Sequence, residues 1–154
     1  MATIALNELK SSLAPNARLL GLDLGDKTIG LALSDTRITI ASPLETIRRS
    51  KFQADAARLL ALIDEHAIGG LILGLPLNMN GSEGPRVQST RAFAGNLAKR
   101  TPCPIVFWDE RLTTVAAERV LLAADTSRAR RKVLIDKLAA TYMLQGALDR
   151  LAGL

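Results

Sequence analysis

The chain has 154 residues, 48% of them hydrophobic and 23% charged, a size and composition that indicate one globular domain rather than a disordered chain. Its net charge of +5 is typical of proteins that bind polyanions, although many basic proteins bind none. No segment is apolar enough to span a bilayer, and no secretory signal pattern is visible. The one cysteine, Cys103, has no disulfide partner within the chain. We therefore expect a cytoplasmic protein without membrane contact.

Residues 1–16 are predicted to form an N-terminal extension, and residues 17–154 are predicted to form one domain. The extension has apolar residues at helical spacing over about 5–13, and Pro15 ends this helix. Three strands are then predicted to form an antiparallel meander, with a tight turn at 25–27 between the first two: 18–24, 28–34 and 37–47.

The rest of the chain alternates between helical periodicity and short apolar runs. A continuously apolar run predicts a strand covered on both faces, as at 71–73 and 105–109. Gly69 and Gly70 are predicted to end the helix that precedes the first of these strands. The predicted helices are 52–66, 85–99, 113–124 and 131–151. This order predicts an α/β fold in which helices flank a mixed five-stranded sheet.

Three acidic residues stand where apolar elements end or where a buried face should be apolar: Asp23, Glu110 and Asp136. A buried carboxylate is costly unless it is paired or binds a metal. If the first and fourth strands are parallel neighbours, Asp23 and Glu110 leave the same edge of the sheet. The final helix could then bring Asp136 to that edge. Three such carboxylates would bind divalent metal ions of the kind that assist phosphoryl transfer.

Each acid, taken alone, also has a purely structural interpretation. Asp23 could cap the turn at 25–27, and Glu110 could form a surface ion pair with Arg111. Asp136 could pair with Lys132 one helical turn earlier. The three structural interpretations together require three coincidences at the ends of elements, which favours the metal site.

Polar and basic residues surround the acids in the sequence. The loop after the strand at 71–73 is rich in Asn, Gly, Ser and Pro, a composition that suits contacts with phosphate. Aromatic residues make up only 3% of the chain, so binding is expected to depend on backbone phosphates more than on stacked bases. A basic run before Asp136 comprises Arg128, Arg130, Arg131 and Lys132. The candidate substrate contacts are Lys27, Asn78, Asn80, Ser82, Arg86, Arg111, Arg130 and Arg131.

Four segments carry a family resemblance: 22–35 (LDLGDKTIGLALSD), 74–86 (GLPLNMNGSEGPR), 109–114 (DERLTT), and 135–140 (IDKLAA) with Leu144 and Gln145. They resemble, in order, the motifs of the YqgF family of RNase H-like nucleases. The resemblance implies an RNase H-like fold, a nuclease dependent on Mg²⁺ or Mn²⁺, and Asp23, Glu110 and Asp136 as its catalytic and metal-binding residues. Asn80 departs from the pattern, in which we expect Asp, and residues 1–16 lie outside the resemblance.

Members of that family are described as nucleases that mature the 5′ end of pre-16S rRNA and as Holliday junction resolvases. The first activity predicts a cytoplasmic protein of ribosome biogenesis that binds RNA, with ribosomal precursor particles as partners and a monomer or weak dimer as its state. The second predicts a DNA enzyme of recombination. A non-catalytic RNA-binding or ribosome-binding module is a third interpretation, which the intact set of acids disfavours.

Overall fold

The structure is a computed structural model that describes residues 3–111 and 128–154, with side chains for 3–111 and 138–154. The described strands are β1 Arg18–Leu24, β2 Thr28–Ser34, β3 Ala41–Arg48, β4 Ile68–Leu75 and β5 Ile105–Asp109. The described helices are α1 Leu6–Ser12, α2 Phe52–Glu65, α3 Pro85–Ala98 and α4 Arg128–Ala152. The helix predicted at 113–124 lies outside the described residues. No helix in the described part is both long and apolar enough to cross a membrane.

The strands form one sheet in the order β3-β2-β1-β4-β5. β1 pairs antiparallel with β2 and β2 with β3, whereas β1 is parallel to β4 and β4 to β5. The predicted mixed five-stranded sheet is therefore confirmed, and so is the parallel pairing of the first and fourth strands. As a result the carboxyl ends of β1, β4 and β5 lie together, and we call this side of the sheet the carboxyl edge.

The alternation of β1 sends its side chains to two different cores. Leu20, Leu22 and Leu24 belong to the core under α2 and α3, whereas Leu19 belongs to the core under α1 and α4. Asp23 has the same parity as Leu19, so it lies on the α4 face of the sheet. Each fully buried leucine contributes about 1.5–3 kcal/mol, and these two cores hold the layers together.

Helix α4 lies very close to the sheet because glycines face it. A Cβ added at Gly21 would lie 3.0 Å from the Leu144 Cβ and 3.3 Å from the Ala140 carbonyl oxygen. Gly146 of α4 gives the same close approach to Trp108, whose ring would lie 3.0 Å from an added Cβ. Real Cβ atoms rarely come this near to a neighbour, so these glycines fix the distance between helix and sheet.

Two predicted element boundaries were wrong for identifiable reasons. The third strand begins at Ala41 rather than at 37, because the Asp35 carboxylate accepts hydrogen bonds from the Thr39 and Ile40 backbone and folds that segment into a turn. Gly69 and Gly70 lie inside β4 and do not end α2, whose last residue is Glu65. Local hydrogen bonds delay the start of β3. The glycines of β4 instead lie in a strand that packs against distant segments.

The packing around those two glycines involves the N-terminal segment. A Cβ at Gly70 would lie 2.6 Å from the Leu9 side chain, and one at Gly69 would lie 2.8 Å from the Ala17 Cβ. Leu9 is fully buried in α1, and the Ile4 amide donates to the Ile105 carbonyl at 2.9 Å. The N-terminal segment thus packs on the sheet, while its division from the domain at residue 16 stays a prediction.

Candidate active site at the carboxyl edge

Asp23 and Glu110 are brought together across a strand that separates them. Asp23 is near the end of β1 and Glu110 follows β5, with β4 between the two strands. Gly74 of β4 makes their contact possible, because a Cβ there would overlap the Glu110 carboxylate, 2.8 Å from its carboxyl carbon. The absence of a side chain at this position lets Glu110 reach over β4 to hydrogen-bond with Asp23.

This contact changes the chemistry of Glu110. Burial, followed by the hydrogen bond and the charge of Asp23, raises the pKa of Glu110 from 4.5 to about 8. The positive charge of Arg86 acts in the opposite direction and lowers that pKa. At neutral pH the pair is therefore favoured with a proton on Glu110, and a cation that replaced this proton would bind two carboxylates already positioned together.

The donor set suits a hard divalent cation. Asp23 and Glu110 offer carboxylate oxygens, the ligands that Mg²⁺ and Mn²⁺ prefer. Within residues 3–111 and 138–154, no group of three or more His, Cys, Asp or Glu side chains is placed to bind a metal. The described part therefore supplies two of the three predicted acids, and the side chain of Asp136 lies outside the described residues.

The backbone of α4 leads to the same edge. Leu144 packs over Gly21, and Ala140 packs over Gly30, which pairs with Asp23 in the β1–β2 ladder. Decreasing residue numbers along α4 thus approach the carboxyl edge. Position 136 is one further turn in this direction, about 6 Å along the helix from Ala140, and its place in the site stays a prediction.

Arg111 does not pair with Glu110, and that structural alternative was wrong. Its guanidinium instead makes a bidentate contact with Asp109, with Nε 2.9 Å from Oδ1 and Nη2 2.5 Å from Oδ2. The contact lowers the pKa of Asp109. Nη1 also donates to the Met79 carbonyl at 3.1 Å. Arg111 therefore ties the loop after β4 to the end of β5.

The polar side chains of that loop bond mainly to one another. Asn78 donates to the Ser82 hydroxyl at 3.0 Å, and this hydroxyl donates to Asn80 Oδ1 at 2.6 Å. Gly81 has a φ of +86°, which a glycine adopts without strain, and its amide donates to the Asn78 carbonyl at 2.8 Å. The loop is thus a preformed turn, and the substrate contacts assigned to Asn78, Asn80 and Ser82 stay predictions.

A cleft of about 600 Å³ separates this loop from Glu110. Arg86, in the first turn of α3, contributes to its wall together with Glu110 and Arg111. Arg86 is exposed and close enough to influence the pKa of Glu110. The cleft therefore places Glu110, whose carboxylate suits a cation, beside a guanidinium group, which suits a phosphate.

The remaining predicted contacts are less defined. Lys27 is exposed in the turn between β1 and β2. Arg130 and Arg131 lie in α4, and their side chains are outside the described residues.

Sequence reasoning missed the roles of Gly74 and Asp109. A glycine directly after the apolar run of β4 was the available signal for the first, and a basic residue two positions after Asp109 was the signal for the second.

Comparison with known proteins gives one family and close relatives. Residues 17–150 match the model of the RuvX family, described as Holliday junction resolvase. A protein of Ruegeria pomeroyi is 60% identical over 149 residues, covering 97% of each chain. One of Paramagnetospirillum magneticum is 58% identical over 153 residues, covering 99% of each chain. One of Paracoccus denitrificans is 66% identical over 131 residues, covering 85% of this chain and 83% of the relative. All three are named "Putative pre-16S rRNA nuclease".

Solved structures show the same fold at low sequence identity. Thermus thermophilus RuvC in complex with a Holliday junction substrate aligns with a TM-score of 0.53 at 15% identity, covering 88% of this chain and 96% of that one. The yeast mitochondrial Holliday junction resolvase Ydc2 aligns with a TM-score of 0.51 at 15% identity, covering 96% of this chain and 84% of that one. These alignments confirm the predicted RNase H-like fold.

Proposed function

Because the chain belongs to the RuvX family, which is the YqgF family that its motifs predicted, we propose that it is a metal-dependent nuclease that matures the 5′ end of pre-16S rRNA. The observation that carries the proposal is the contact between Asp23 and Glu110 beside an arginine-lined cleft. The names of relatives at 58% to 66% identity support the choice of substrate.

The acids are assigned as metal ligands. Asp23, Glu110 and Asp136 would bind Mg²⁺ or Mn²⁺ through carboxylate oxygens, and a divalent ion bound there would activate water and offset negative charge on the scissile phosphate. Glu110 must release its proton to become a ligand, so metal loading should improve as pH rises toward 8.

The other residues of the cleft would bind and orient the strand. Arg86 lies beside Glu110 and is placed to contact a phosphate oxygen, because a guanidinium offers several donors to such a group. Arg111 is committed to Asp109 and to the loop, so it would position the cleft wall rather than bind phosphate itself. The preformed loop from Asn78 to Ser82 would then present its backbone to the strand.

A Holliday junction resolvase is the second candidate function. It is supported by the description of the matched family model and by the likeness in fold to RuvC. Cleavage of a symmetric junction requires two sites in a dimer. We favour RNA because all three relatives carry the rRNA name, and we expect a monomer or a weak dimer that acts on ribosomal precursor particles.

The deciding experiment compares two substrates at equal salt and Mn²⁺: a precursor RNA spanning the 5′ region of 16S rRNA and a four-way DNA junction. We expect cleavage of the RNA by the unaltered protein and no cleavage by the Asp23→Asn variant or in EDTA. Paired symmetric nicks in the junction with intact RNA would instead assign the resolvase activity. Cleavage of neither substrate, with normal binding of RNA, would favour the non-catalytic module.

A further inference from the structure

A second polar pocket opens on the carboxyl edge, on the side of the sheet that α2 and α3 cover. Its volume is about 370 Å³, within the range of small-ligand sites. The turn after β1 forms one wall, the segment after β3 the next, and the first turns of α3 the third. The lining residues that matter here are Gly25, Asp26, Arg49, Ser50, Arg86 and Ser89.

The pocket adjoins the candidate active site through one residue. Arg86 contributes to the wall of this pocket and also to the wall of the cleft that contains Glu110. A strand that left the cleft over Arg86 would enter the pocket next. Gly25 is two residues beyond Asp23, so the pocket also begins where the catalytic strand ends.

Arg49 is held in the pocket by neutral groups. Its Nη1 donates to the Gly25 carbonyl at 2.7 Å, and its guanidinium carbon lies 5.7 Å from the centre of the Phe93 ring. Its backbone amide donates to the Lys27 carbonyl at 2.9 Å. These contacts fix the guanidinium beside the turn without neutralising its charge.

Other arginines of the chain are used differently. Arg58, Arg91 and Arg111 each form an ion pair with a carboxylate, at 2.5 to 2.7 Å. Within residues 3–111 and 138–154, neither Arg49 nor Arg86 has a carboxylate at ion-pair distance. Among the described residues that line the pocket, Asp26 is the one acidic side chain, so the two guanidinium groups leave this described lining net positive.

We propose that the pocket of Arg49, Ser50 and Ser89 binds a backbone phosphate of the substrate strand, next to the linkage that lies at Glu110. The inference rests on the proposed nuclease function and adds a binding subsite to it. Arg49 supplies charge and directed donors, the Ser89 hydroxyl supplies a further donor, and Arg86 links the two phosphate positions. The Ser50 hydroxyl lines the pocket and donates to the Asp55 carboxylate at 3.4 Å. Because phosphate is common to every nucleotide, the subsite orients the strand without selecting sequence.

The first test measures binding of a short single-stranded RNA in EDTA, so that no cleavage is required. Arg49→Gln should weaken binding about tenfold and reduce the slope of log affinity against log salt by about 0.7. The matched control is Arg37→Gln, which removes the same charge from an exposed turn at the opposite edge of the sheet. The control should leave both quantities unchanged. Equal effects of the two variants, or no effect of Arg49→Gln, would overturn the proposal.

The first arm of the second test uses the unaltered protein and so does not depend on the folding of a variant, and its second arm repeats the measurement with Arg49→Gln. Each phosphate of the RNA is replaced in turn by a neutral methylphosphonate. One linkage should lose about tenfold in affinity in the unaltered protein, and Arg49→Gln should be insensitive at that linkage alone. Equal losses at all linkages would overturn the subsite. Because binding is measured without metal, absence of cleavage would count against the nuclease function while leaving this result interpretable.

Discussion

Carboxylates at the two edges of the sheet have pKa values shifted in opposite directions. Asp35, at the edge where β2 ends, accepts three hydrogen bonds at 2.6 to 3.0 Å from Thr39 and Ile40, which lower its pKa to about 2. Glu110, at the carboxyl edge, is buried against another acid and has its pKa raised to about 8. Hydrogen-bond donors lower the pKa of Asp35, whereas burial and a neighbouring acid raise the pKa of Glu110.

The largest expected effect is loss of activity when any of the three predicted acids is neutralised. Asp23→Asn, Glu110→Gln and Asp136→Asn should each reduce metal-dependent cleavage about a thousandfold or more, because each removes an anionic ligand. Asp35→Asn is the control at the opposite edge and should retain full activity. Rates under single-turnover conditions, with circular dichroism to confirm folding, make the comparison. Normal turnover by the Asp136→Asn protein would remove that residue from the site.

The next effect tests whether space over β4 is required. Gly74→Ala places a Cβ where Glu110 lies and 2.8 Å from the Met143 sulfur, so Glu110 must move. We expect activity to fall about a hundredfold and the free energy of unfolding to fall by about 1–3 kcal/mol. Gly95→Ala in α3 is the matched control, because an added Cβ there meets no atom within 4 Å. Full activity in the Gly74→Ala protein would contradict the role assigned to this glycine.

Asp35→Ala tests the stabilising role of the carboxylate at the edge where β2 ends. The free energy of unfolding should fall by about 1–2 kcal/mol, because the backbone amides of the turn lose their acceptor. Asp26→Ala, in the other turn at the carboxyl edge, should change stability less. Denaturant unfolding at neutral pH measures both. Equal destabilisation by the two substitutions would mean that the Asp35 hydrogen bonds add nothing to the free energy of unfolding.

The smallest effect is a pH dependence of stability in EDTA. A raised pKa means that the folded protein holds a proton on Glu110 that the unfolded chain releases above pH 4.5. This contribution is therefore fully present at low pH and is lost as pH rises toward about 8, with a slope of at most about 1.4 kcal/mol per pH unit. Glu110→Gln should flatten the slope over this range. Identical pH profiles for the two proteins would refute the shifted pKa.

Much of the fold followed from the order of apolar runs. Three strands before the first long helix predicted a meander, and the following alternation predicted parallel strands, which the sheet order confirms. The proximity of Asp23 to Glu110 followed from the same topology. What failed depended on contacts between distant segments: Gly70 pairs with Leu19 of β1 and packs against Leu9, and Gly74 lies beneath the Glu110 carboxylate.

The choice of partner for Arg111 failed for a different reason. Asp109 is the last residue of β5, and its carboxylate lies within reach of the Arg111 guanidinium, whereas Glu110 follows the strand and extends over Gly74 to Asp23. Sequence proximity suggested the wrong carboxylate, because the space over Gly74 that Glu110 occupies comes from a different strand. The contacts of the basic run before Asp136 could not be predicted either, because the spacing of charges along a helix does not reveal which face binds the substrate.

The close seating of α4 on Gly21 also ties reaction rate to packing far from the reacting groups. If Asp136 completes the site, its height above Asp23 is determined by how deeply the helix settles on the sheet two turns away. A methyl group at Gly21 would lift Leu144 by a few tenths of an ångström and would tilt the far end of the helix more. Substitutions in the sheet beneath α4 would then change the position of Asp136 relative to Asp23, and so the reaction rate, without any change to the acids themselves.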